Sequence, residues 1–340
     1  MAVRAEVRTA FVLGGGGVLG ASEVGMLRAL AEADIRPDLV VGTSIGAING
    51  VFVAHDPAGA AERLAEVWRS QVVRTAFAGS LFTRLNTLAR SGTHIHANAP
   101  LRRLIEDELP ARDFADLAVP FQCVAACVER AAAHWFGEGE LVPAVLASAA
   151  VPGLLPPVRI GDEHFFDGGL VHSIPVGRAV QLGATRIYVL HVGRIEQPLR
   201  PPRRPWEVGL VSFEIARRHR FVEEMATLPK GVHAHVLPAG FAEPESSTNG
   251  DRPGGDQPGG DQPGGDRTNG GVQAEANGRS PARVPTGRLA TRRAASGANR
   301  SGELSQWRYK DFGRVDRQID RAYEATSRYL AEHHLAEHGR

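Results

Sequence analysis

The sequence contains few cysteines, few lysines and no excess of charge of either sign. Its two cysteines, Cys123 and Cys127, would lie roughly 13 Å apart on a strand, which is too far for a disulfide, so we expect two buried thiols. The 39 basic and 38 acidic residues give a net charge of +1, and no overall field therefore attracts nucleic acid. Lys230 and Lys310 are the only lysines, so nearly all basic side chains are arginines.

From the sequence we also expect neither a secretory leader nor an uninterrupted membrane span. Met1–Arg8 is charged and has no apolar stretch of about 7–15 residues, which predicts a cytoplasmic protein. Leu141–Val158 reaches the length of about 18 uncharged residues that suggests a transmembrane helix, but prolines and a glycine interrupt it. For Phe213–Leu228 we expect a core-packed helix with a solvated basic edge, and transient peripheral contact with a membrane surface is the alternative.

A single break in composition divides the 340 residues. From about Glu243 to Gly302 the apolar pattern stops, and a five-residue unit repeats between Pro253 and Arg267. Such a segment buries too little apolar surface to offset its ordering entropy. We therefore predict a main domain at 1–242, a disordered insertion at 243–302, and a C-terminal segment at 303–340 whose helix packs on the main domain.

Outside that break, short apolar strands alternate with helical patterns, which is typical of a mainly parallel sheet covered by helices on both faces. The predicted strands are Ala10–Leu13, Leu39–Val41, Phe121–Val128, His134–Phe136, His164–Phe166, Arg186–His191 and Val232–Leu237. The predicted helices are Ala21–Ala33, Ile45–Ala54, a helix from Asp56 to about Val73, Asn98–Leu109 and Leu304–His334. In such a sheet the functional loops collect at the carboxyl ends of the strands.

The first strand is followed by a glycine-rich loop, Gly14–Gly20, and then by a helix. Read from Gly15, the loop fits the G-x-G-x-x-G pattern of dinucleotide-binding proteins, so a nucleotide-binding Rossmann-type protein is one hypothesis. That hypothesis needs an acidic residue at the end of the second strand, whereas Asp38 precedes that strand. A Walker loop is excluded because Ala21 stands where a lysine would follow the last glycine, Gly20.

The second strand runs into a G-x-S-x-G pattern at Gly42–Gly46, with Ser44 at its centre. Between a strand and a helix, this pattern is typical of a nucleophile elbow, in which small neighbours allow a sharp turn that exposes the serine. Because the first two strands are expected to be adjacent and parallel, the glycine loop should lie beside Ser44. Its candidate donors to an oxyanion are the backbone N–H groups of Gly15, Gly16, Gly17 and Val18.

A serine hydroxyl needs a base to take its proton, and the sequence offers Asp167 for this role. Asp167 follows a predicted strand, and the glycines after it, Gly168 and Gly169, let the backbone turn sharply and leave the carboxylate open. Taken alone, an Asp-Gly-Gly sequence is more often a simple turn than a base. His172 lies close to Asp167 in the sequence and is the alternative base.

Together these motifs resemble the patatin-like phospholipase family over about Ala10–Leu190. The resemblance is carried by the glycine loop, the elbow, Ala147–Gly153, and the Asp167–Gly169 turn with Pro175 after it. It implies a three-layer α/β/α sandwich, a catalytic dyad of Ser44 and Asp167, and an oxyanion hole formed by the glycine loop. It also implies hydrolysis of phospholipid or other acyl-lipid esters without a metal or an organic cofactor.

Two positions depart from the pattern of that family, whose bacterial members often have Arg or Lys at the position of Leu19 and Asn at that of Ser173. Backbone donors act on the oxyanion, so Leu19 should leave the chemistry intact while removing a cation suited to a phosphate head group. Acyl-ester hydrolysis is therefore a firmer expectation than phospholipid specificity. A catalytically silent scaffold of the same fold is a further hypothesis, and the oligomeric state is open.

Apolar stretches flank the two loops and are expected to line a groove for an acyl chain, namely Val40–Ala54 and Leu141–Val158. Two histidine pairs, His94-x-His96 and His233-x-His235, have metal-compatible spacing. No cysteine or carboxylate partner recurs near either pair, so we expect surface or strand histidines and no metal site.

Overall fold

The computed structural model describes residues 8–70, 96–192, 198–199, 201–203, 205–240 and 315–338. Its strands are β1 Thr9–Leu13, β2 Leu39–Thr43, β3 Phe121–Cys127, β4 Ala132–Phe136, β5 Val158–Ile160, β6 Glu163–Asp167, β7 Arg186–Leu190 and β8 His233–Leu237. Its α-helices are α1 Ala21–Glu32, α2 Ile45–His55, α3 Ala60–Arg69, α4 Ala99–Glu108, α5 Leu141–Ser148, α6 Val176–Gln181, α7 Pro205–Ala226 and α8 Val315–His338. The predicted insertion at 243–302 lies outside the described residues, as do His94 and residues 304–314 of the predicted last helix.

One mixed sheet with a parallel centre organises the described chain. Its order is β5-β6-β3-β2-β1-β7-β8, and β4 also pairs with β3. The five strands β3, β2, β1, β7 and β8 run parallel to one another, whereas β4, β5 and β6 pair antiparallel with their neighbours. The prediction of an α/β fold with a mainly parallel sheet is confirmed.

Alternate residues of the central strands enter two separate cores, one on each face of the sheet. On β1, Phe11 and Leu13 pack in a core with residues of α1 to α5 and α8. Their neighbours Ala10 and Val12 pack in the other core with residues of α6 and α7. Helices therefore cover both faces, which makes three layers. Strands buried on both faces are continuously apolar, and this is why these strands could be predicted from the sequence.

The C-terminal helix α8 packs on α1 at close range. A Cβ added at Gly25 of α1 would clash with the backbone carbonyl oxygen of Ile319 in α8. Ala322 of α8 is fully buried in the same contact region. At its edge the guanidinium of Arg28 lies 4.2 Å from the centroid of the Tyr323 ring. Helix α8 therefore closes the larger of the two cores.

Helices α3 and α5 depart from the sequence prediction for identifiable reasons. Helix α3 begins at Ala60 instead of Asp56, because the Asp56 carboxylate accepts the N–H groups of Ala58 and Gly59 in a turn before the helix. Helix α5 was not predicted at all. All its residues but Ser148 are apolar, and all but Pro143 are buried, so the sequence has no amphipathic periodicity there.

Helix α7 corrects the expectation of a solvated basic edge at two of its three arginines, while Arg220 is exposed as expected. The side chains of Arg217 and Arg218 are only 8% and 14% exposed and pair with Glu214. Two apolar side chains, Ile215 and Val222, are more than half exposed. None of the helices within the described residues is both long and apolar enough to span a membrane.

Candidate active site

The turn between β2 and α2 places Ser44 in a backbone conformation that non-glycine residues rarely adopt. Its φ is 58° and its ψ is −123°. The flanking glycines permit this turn, since a Cβ at Gly42 would clash with the carbonyl oxygen of Gly46, and a Cβ at Gly46 would clash with that of Leu13. Ser44 thus lies at the amino end of α2 in the geometry that the elbow pattern predicts.

Hydrogen bonds from distant segments hold the elbow in place. The Ser44 N–H donates to Oγ of Ser148 at 3.0 Å, and the Thr43 hydroxyl donates to the carbonyl oxygen of His172 at 2.8 Å. Sequence reasoning did not assign a role to Ser148, although it lies within the Ala147–Gly153 stretch that carries the family resemblance. That stretch was the signal that could have identified it.

The carboxylate of Asp167 accepts a hydrogen bond from the hydroxyl of Ser44. The Ser44 Oγ to Asp167 Oδ2 distance is 2.5 Å, and the other carboxylate oxygen accepts the Gly169 N–H at 2.7 Å. Ser44 is 8% exposed and Asp167 is 3% exposed. The pair is therefore largely shielded from solvent, and the carboxylate is oriented by a second, backbone donor.

Sheet topology explains how two residues 123 positions apart meet. Thr43 at the end of β2 pairs with Val124 of β3, and Asp167 at the end of β6 pairs with the next residue, Ala125. Since β4 pairs along Cys123 to Cys127, β2 and β6 must share the opposite edge of β3. The two strands therefore approach each other end to end, and their last residues face across the gap.

Burial raises the pKa of the Asp167 carboxyl to about 6, while the hydrogen bonds from Ser44 and from the Gly169 N–H act in the lowering direction. A carboxylate with this pKa is ionised at neutral pH yet binds a proton more readily than an exposed aspartate. Such a group is suited to accept and return a proton.

His172, the alternative base, has a different partner. Its Nδ1 lies 3.0 Å from Oε1 of Glu224 in α7, and its backbone carbonyl accepts the Thr43 hydroxyl. Oγ of Ser44 instead donates to Asp167. The geometry thus favours Asp167 over His172 as the proton acceptor.

The glycine loop lies directly beside Ser44, as adjacent parallel strands require. A Cβ added at Gly15 would lie 3.4 Å from Cβ of Ser44. The Gly15 N–H, however, donates to the carbonyl oxygen of Ser173 at 2.9 Å. It is therefore not free for a substrate oxygen, and this removes Gly15 from the predicted oxyanion donors. The backbone N–H groups of Gly16, Gly17 and Val18 stay as candidates.

The remaining glycines of the motifs are required by close packing. A Cβ at Gly16 would clash with Val192, one at Gly20 would clash with Ile45, and one at Gly168 would clash with the backbone of Val124. Gly17 has a φ of 58°, a conformation that glycine adopts without strain. These positions thus shape the loops around Ser44 without contributing side chains.

A mainly apolar cavity, open to solvent, begins at Ser44. It is lined by Gly17, Ser44, Ile45, Ile48, His96, Leu101, Ala149, Val151, Leu154 and Leu155. Most of these residues come from the two stretches that were expected to line a groove, Val40–Ala54 and Leu141–Val158. His96 and Leu101, at the start of α4, were not anticipated.

The other candidate metal pair lies on the sheet. His233 and His235 belong to β8, and the His235 ring stacks on Tyr188 with a centroid distance of 5.2 Å. Within the described part of the chain, no three His, Cys, Asp or Glu side chains are grouped so that they could hold a metal ion.

Comparison with known proteins identifies relatives of this site region. The sequence profile described as Patatin-like phospholipase matches residues 11–180, half of the chain. The patatin-like phospholipase domain-containing protein ZK370.4 of Caenorhabditis elegans is 33% identical over 189 residues, which are 55% of this chain and 14% of that protein. Patatin-like phospholipase domain-containing protein 7 of Rattus norvegicus is 32% identical over 187 residues, 54% of this chain and 13% of that protein.

A fungal relative has a name that states an activity. Lysophospholipase nte1 of Emericella nidulans is 31% identical over 188 residues, 54% of this chain and 12% of that protein. The match thus covers at most 14% of the length of these three curated relatives. The matched half of the chain contains the glycine loop, Ser44 and Asp167, and the chain belongs to the patatin-like phospholipase family.

Proposed function

We propose that this protein is a serine acyl hydrolase that cleaves the carboxylic ester bonds of phospholipids or other acyl lipids. The observation that carries the proposal is the 2.5 Å hydrogen bond from Ser44 to the buried Asp167 at the mouth of an apolar cavity. Membership of a family with lipid hydrolases among its named proteins supports the same conclusion.

The proposed reaction has two halves. In the first, Asp167 takes the Ser44 hydroxyl proton as Oγ attacks the ester carbonyl carbon. The tetrahedral intermediate then breaks its bond to the alcohol, which leaves with the proton held by Asp167, and an acyl ester on Ser44 remains. In the second half Asp167 takes a proton from water, the hydroxide attacks the acyl carbon, and the fatty acid leaves as Ser44 regains its proton.

Negative charge on the carbonyl oxygen is stabilised by backbone donors of the glycine loop in this proposal. Gly17 lines the same cavity as Ser44, which supports a role for the loop at the reacting carbonyl. Backbone donors are fixed by the fold and need little reorganisation during the reaction.

The cavity is suited to an acyl chain. Its lining includes the aliphatic side chains of Ile45, Ile48 and Leu155, and among the described residues that line it only His96 is basic and none is acidic. Each buried methylene contributes about 0.8 kcal/mol, so long acyl chains should be strongly preferred over acetyl groups. Small polar amides have no such gain, and we do not expect proteolysis.

A labelling experiment and an ester series test this proposal together. A fluorophosphonate should form one adduct, mapped by peptide mass spectrometry to Ser44, in the wild-type protein and none in the Ser44→Ala variant. The kcat/KM for p-nitrophenyl esters should rise from acetate to long acyl chains, at a fixed aggregation state and equally with a chelator present.

The opposing outcomes identify the rival functions. A flat or falling series with a labelled Ser44 would indicate a small-ester esterase. An unlabelled Ser44 together with measurable affinity for NAD would support the dinucleotide-binding hypothesis. An inactive, unlabelled protein without that affinity would support a silent scaffold.

A further inference from the structure

One buried arginine outside the matched residues 11–180 reaches the glycine loop. Nη1 of Arg217, in helix α7, donates to the carbonyl oxygen of Gly15 at 3.0 Å. The side chain of Arg217 is only 8% exposed. The contact joins residues 202 positions apart and ends next to Ser44, because Gly15 packs against that residue.

Glu214 fixes the orientation of this guanidinium. Nε and Nη2 of Arg217 donate to the two oxygens of Glu214 at 2.8 and 2.9 Å, and Nε of Arg218 donates to the same carboxylate at 2.8 Å. Burial alone would raise the pKa of Glu214, but the hydrogen bonds and charges of both arginines lower it overall. The bidentate pair leaves Nη1 free to point at the loop in one defined direction.

Hydrogen bonds therefore fix both the N–H and the carbonyl oxygen of Gly15. Its N–H donates to the Ser173 carbonyl, and its carbonyl oxygen accepts from Arg217. In a trans peptide the carbonyl oxygen and the following amide hydrogen point in opposite directions. The Gly16 N–H must therefore point away from α7. A cationic donor on the carbonyl also polarises the peptide and strengthens its N–H as a donor.

We propose that Arg217 is a positioning residue that orients the Gly15–Gly16 peptide so that the Gly16 N–H donates to the oxyanion. The inference rests on the proposed function, because it assigns a task within that reaction. Residues 14–20 contain no charged side chain, with Leu19 among them, so the loop has no cation of its own. The positive charge reaches the loop from α7 instead.

Substitution of Arg217 tests the inference with two independent measurements. Arg217→Met keeps much of the apolar bulk and removes every donor, Arg217→Lys keeps a charge without the fork, and Arg220→Met removes an exposed charge from the same helix as a control. We would measure kcat and KM for a long-chain p-nitrophenyl ester, hydrogen exchange in peptides covering residues 13–20, and the unfolding midpoint of each variant.

Positioning of the oxyanion donor predicts a specific pattern. Arg217→Met should lower kcat roughly 10- to 100-fold with KM changed less than about twofold, because the loss is confined to the transition state. Amide hydrogen exchange in residues 13–20 should become faster under conditions in which the variant is still folded. Arg217→Lys should lie between Arg217→Met and the wild type, and Arg220→Met should match the wild type.

A structural role for the ion pair would give another pattern. A lowered unfolding midpoint with kcat within twofold of the wild type, or unchanged exchange in residues 13–20, would overturn the inference. If the wild type hydrolyses no acyl ester while Arg217→Met still loosens the loop, the proposed function fails and the loop contact stands. If neither activity nor a change in exchange is observed, both fail.

Discussion

The backbone strain at Ser44 accompanies the sharp turn that directs its hydroxyl toward Asp167 at the end of a strand. A non-glycine residue with φ near 58° and ψ near −123° costs about 1–3 kcal/mol, which the surrounding packing must offset. Ser148 Oγ accepts the Ser44 N–H and Asp167 accepts the Ser44 hydroxyl, and these two bonds hold the residue there. Glycine would adopt the same angles without this strain.

This strain predicts different stabilities for two variants that are equally inactive. Ser44→Ala and Ser44→Gly should both reduce ester hydrolysis by about a thousandfold or more, since both lack the nucleophile. Ser44→Gly should be about 1–2 kcal/mol more stable than Ser44→Ala in urea unfolding, because only glycine relieves the strain. Thr326→Ala, which removes a buried hydroxyl of α8 that donates to the Pro238 carbonyl oxygen, is the activity control. Equal stability of the two Ser44 variants would contradict the strained elbow.

The raised pKa of Asp167 predicts how activity depends on pH. Because the base must be ionised, kcat/KM should rise tenfold per pH unit below about 6 and level off above it. Asp167→Asn should lose about a thousandfold or more of the activity at every pH, since the amide cannot accept the proton. A pH profile from 4.5 to 9 measures both, and a midpoint near 4 would show that burial does not perturb this carboxyl.

The raised pKa of Asp167 also makes the free energy of unfolding depend on pH. The folded-state pKa of about 6 lies above the ordinary 3.8, so the native protein binds this proton more tightly than the unfolded chain does. The contribution of Asp167 therefore falls as pH rises from about 4 to about 6 and stays low above that. Asp167→Asn should flatten this part of the stability profile by roughly 1–3 kcal/mol.

At the scale of helices, the crossing of α1 and α8 depends on a residue without a side chain. Gly25→Ala would stabilise an exposed helix by about 1 kcal/mol. Here the added methyl group would clash with the backbone of Ile319, so we expect destabilisation by about 1–3 kcal/mol. Urea unfolding measures the change, and Glu62→Ala at an exposed position of α3 is the control. A more stable Gly25→Ala variant would show that α8 does not pack this closely.

The segment after α5 and the helix α2 line the cavity from two sides, which predicts how its capacity can be reduced. Leu155→Trp should fill part of this cavity and shift the preferred acyl chain of p-nitrophenyl esters to a shorter length. The ratio of long-chain to butyrate kcat/KM should fall at least tenfold, with butyrate hydrolysis kept. Val222→Trp at an exposed position of α7 is the matched control, and an unchanged ratio in Leu155→Trp would place the acyl chain elsewhere.

At the scale of the whole molecule, the sequence composition predicts that residues 245–301 are dispensable for folding. Gly240 packs against Arg321, only six residues or about 9 Å along α8 from Val315, so a short flexible linker can join the remaining ends. The deletion variant should unfold cooperatively and hydrolyse acyl esters within about twofold of the wild type.

The contrasting variant ends before Val315. Without α8, the faces of α1 that pack on Ile319 and Ala322 would be exposed to water, so we expect loss of cooperative unfolding and aggregation. Calorimetry and size-exclusion chromatography distinguish the two variants. Loss of cooperative unfolding in the internal deletion would show that the prediction from the composition of residues 245–301 is wrong.

The local features of this protein could be predicted from its amino-acid sequence. The glycine loop, the elbow at Ser44 and the Asp167 turn could be identified because each depends on a few consecutive residues whose size sets the backbone angles. The alternation of strands and helices, and with it the parallel sheet, followed from hydrophobic pattern, since central strands are apolar on both faces.

Only the tertiary structure decided which groups around those motifs face one another. The Gly15 N–H is taken by Ser173, the elbow rests on Ser148, and Arg217 reaches the loop from a helix whose basic side was expected in solvent. These contacts join residues 104 to 202 positions apart. No local periodicity encodes them, because the direction of a hydrogen bond between distant segments depends on how the packed layers bring those segments together.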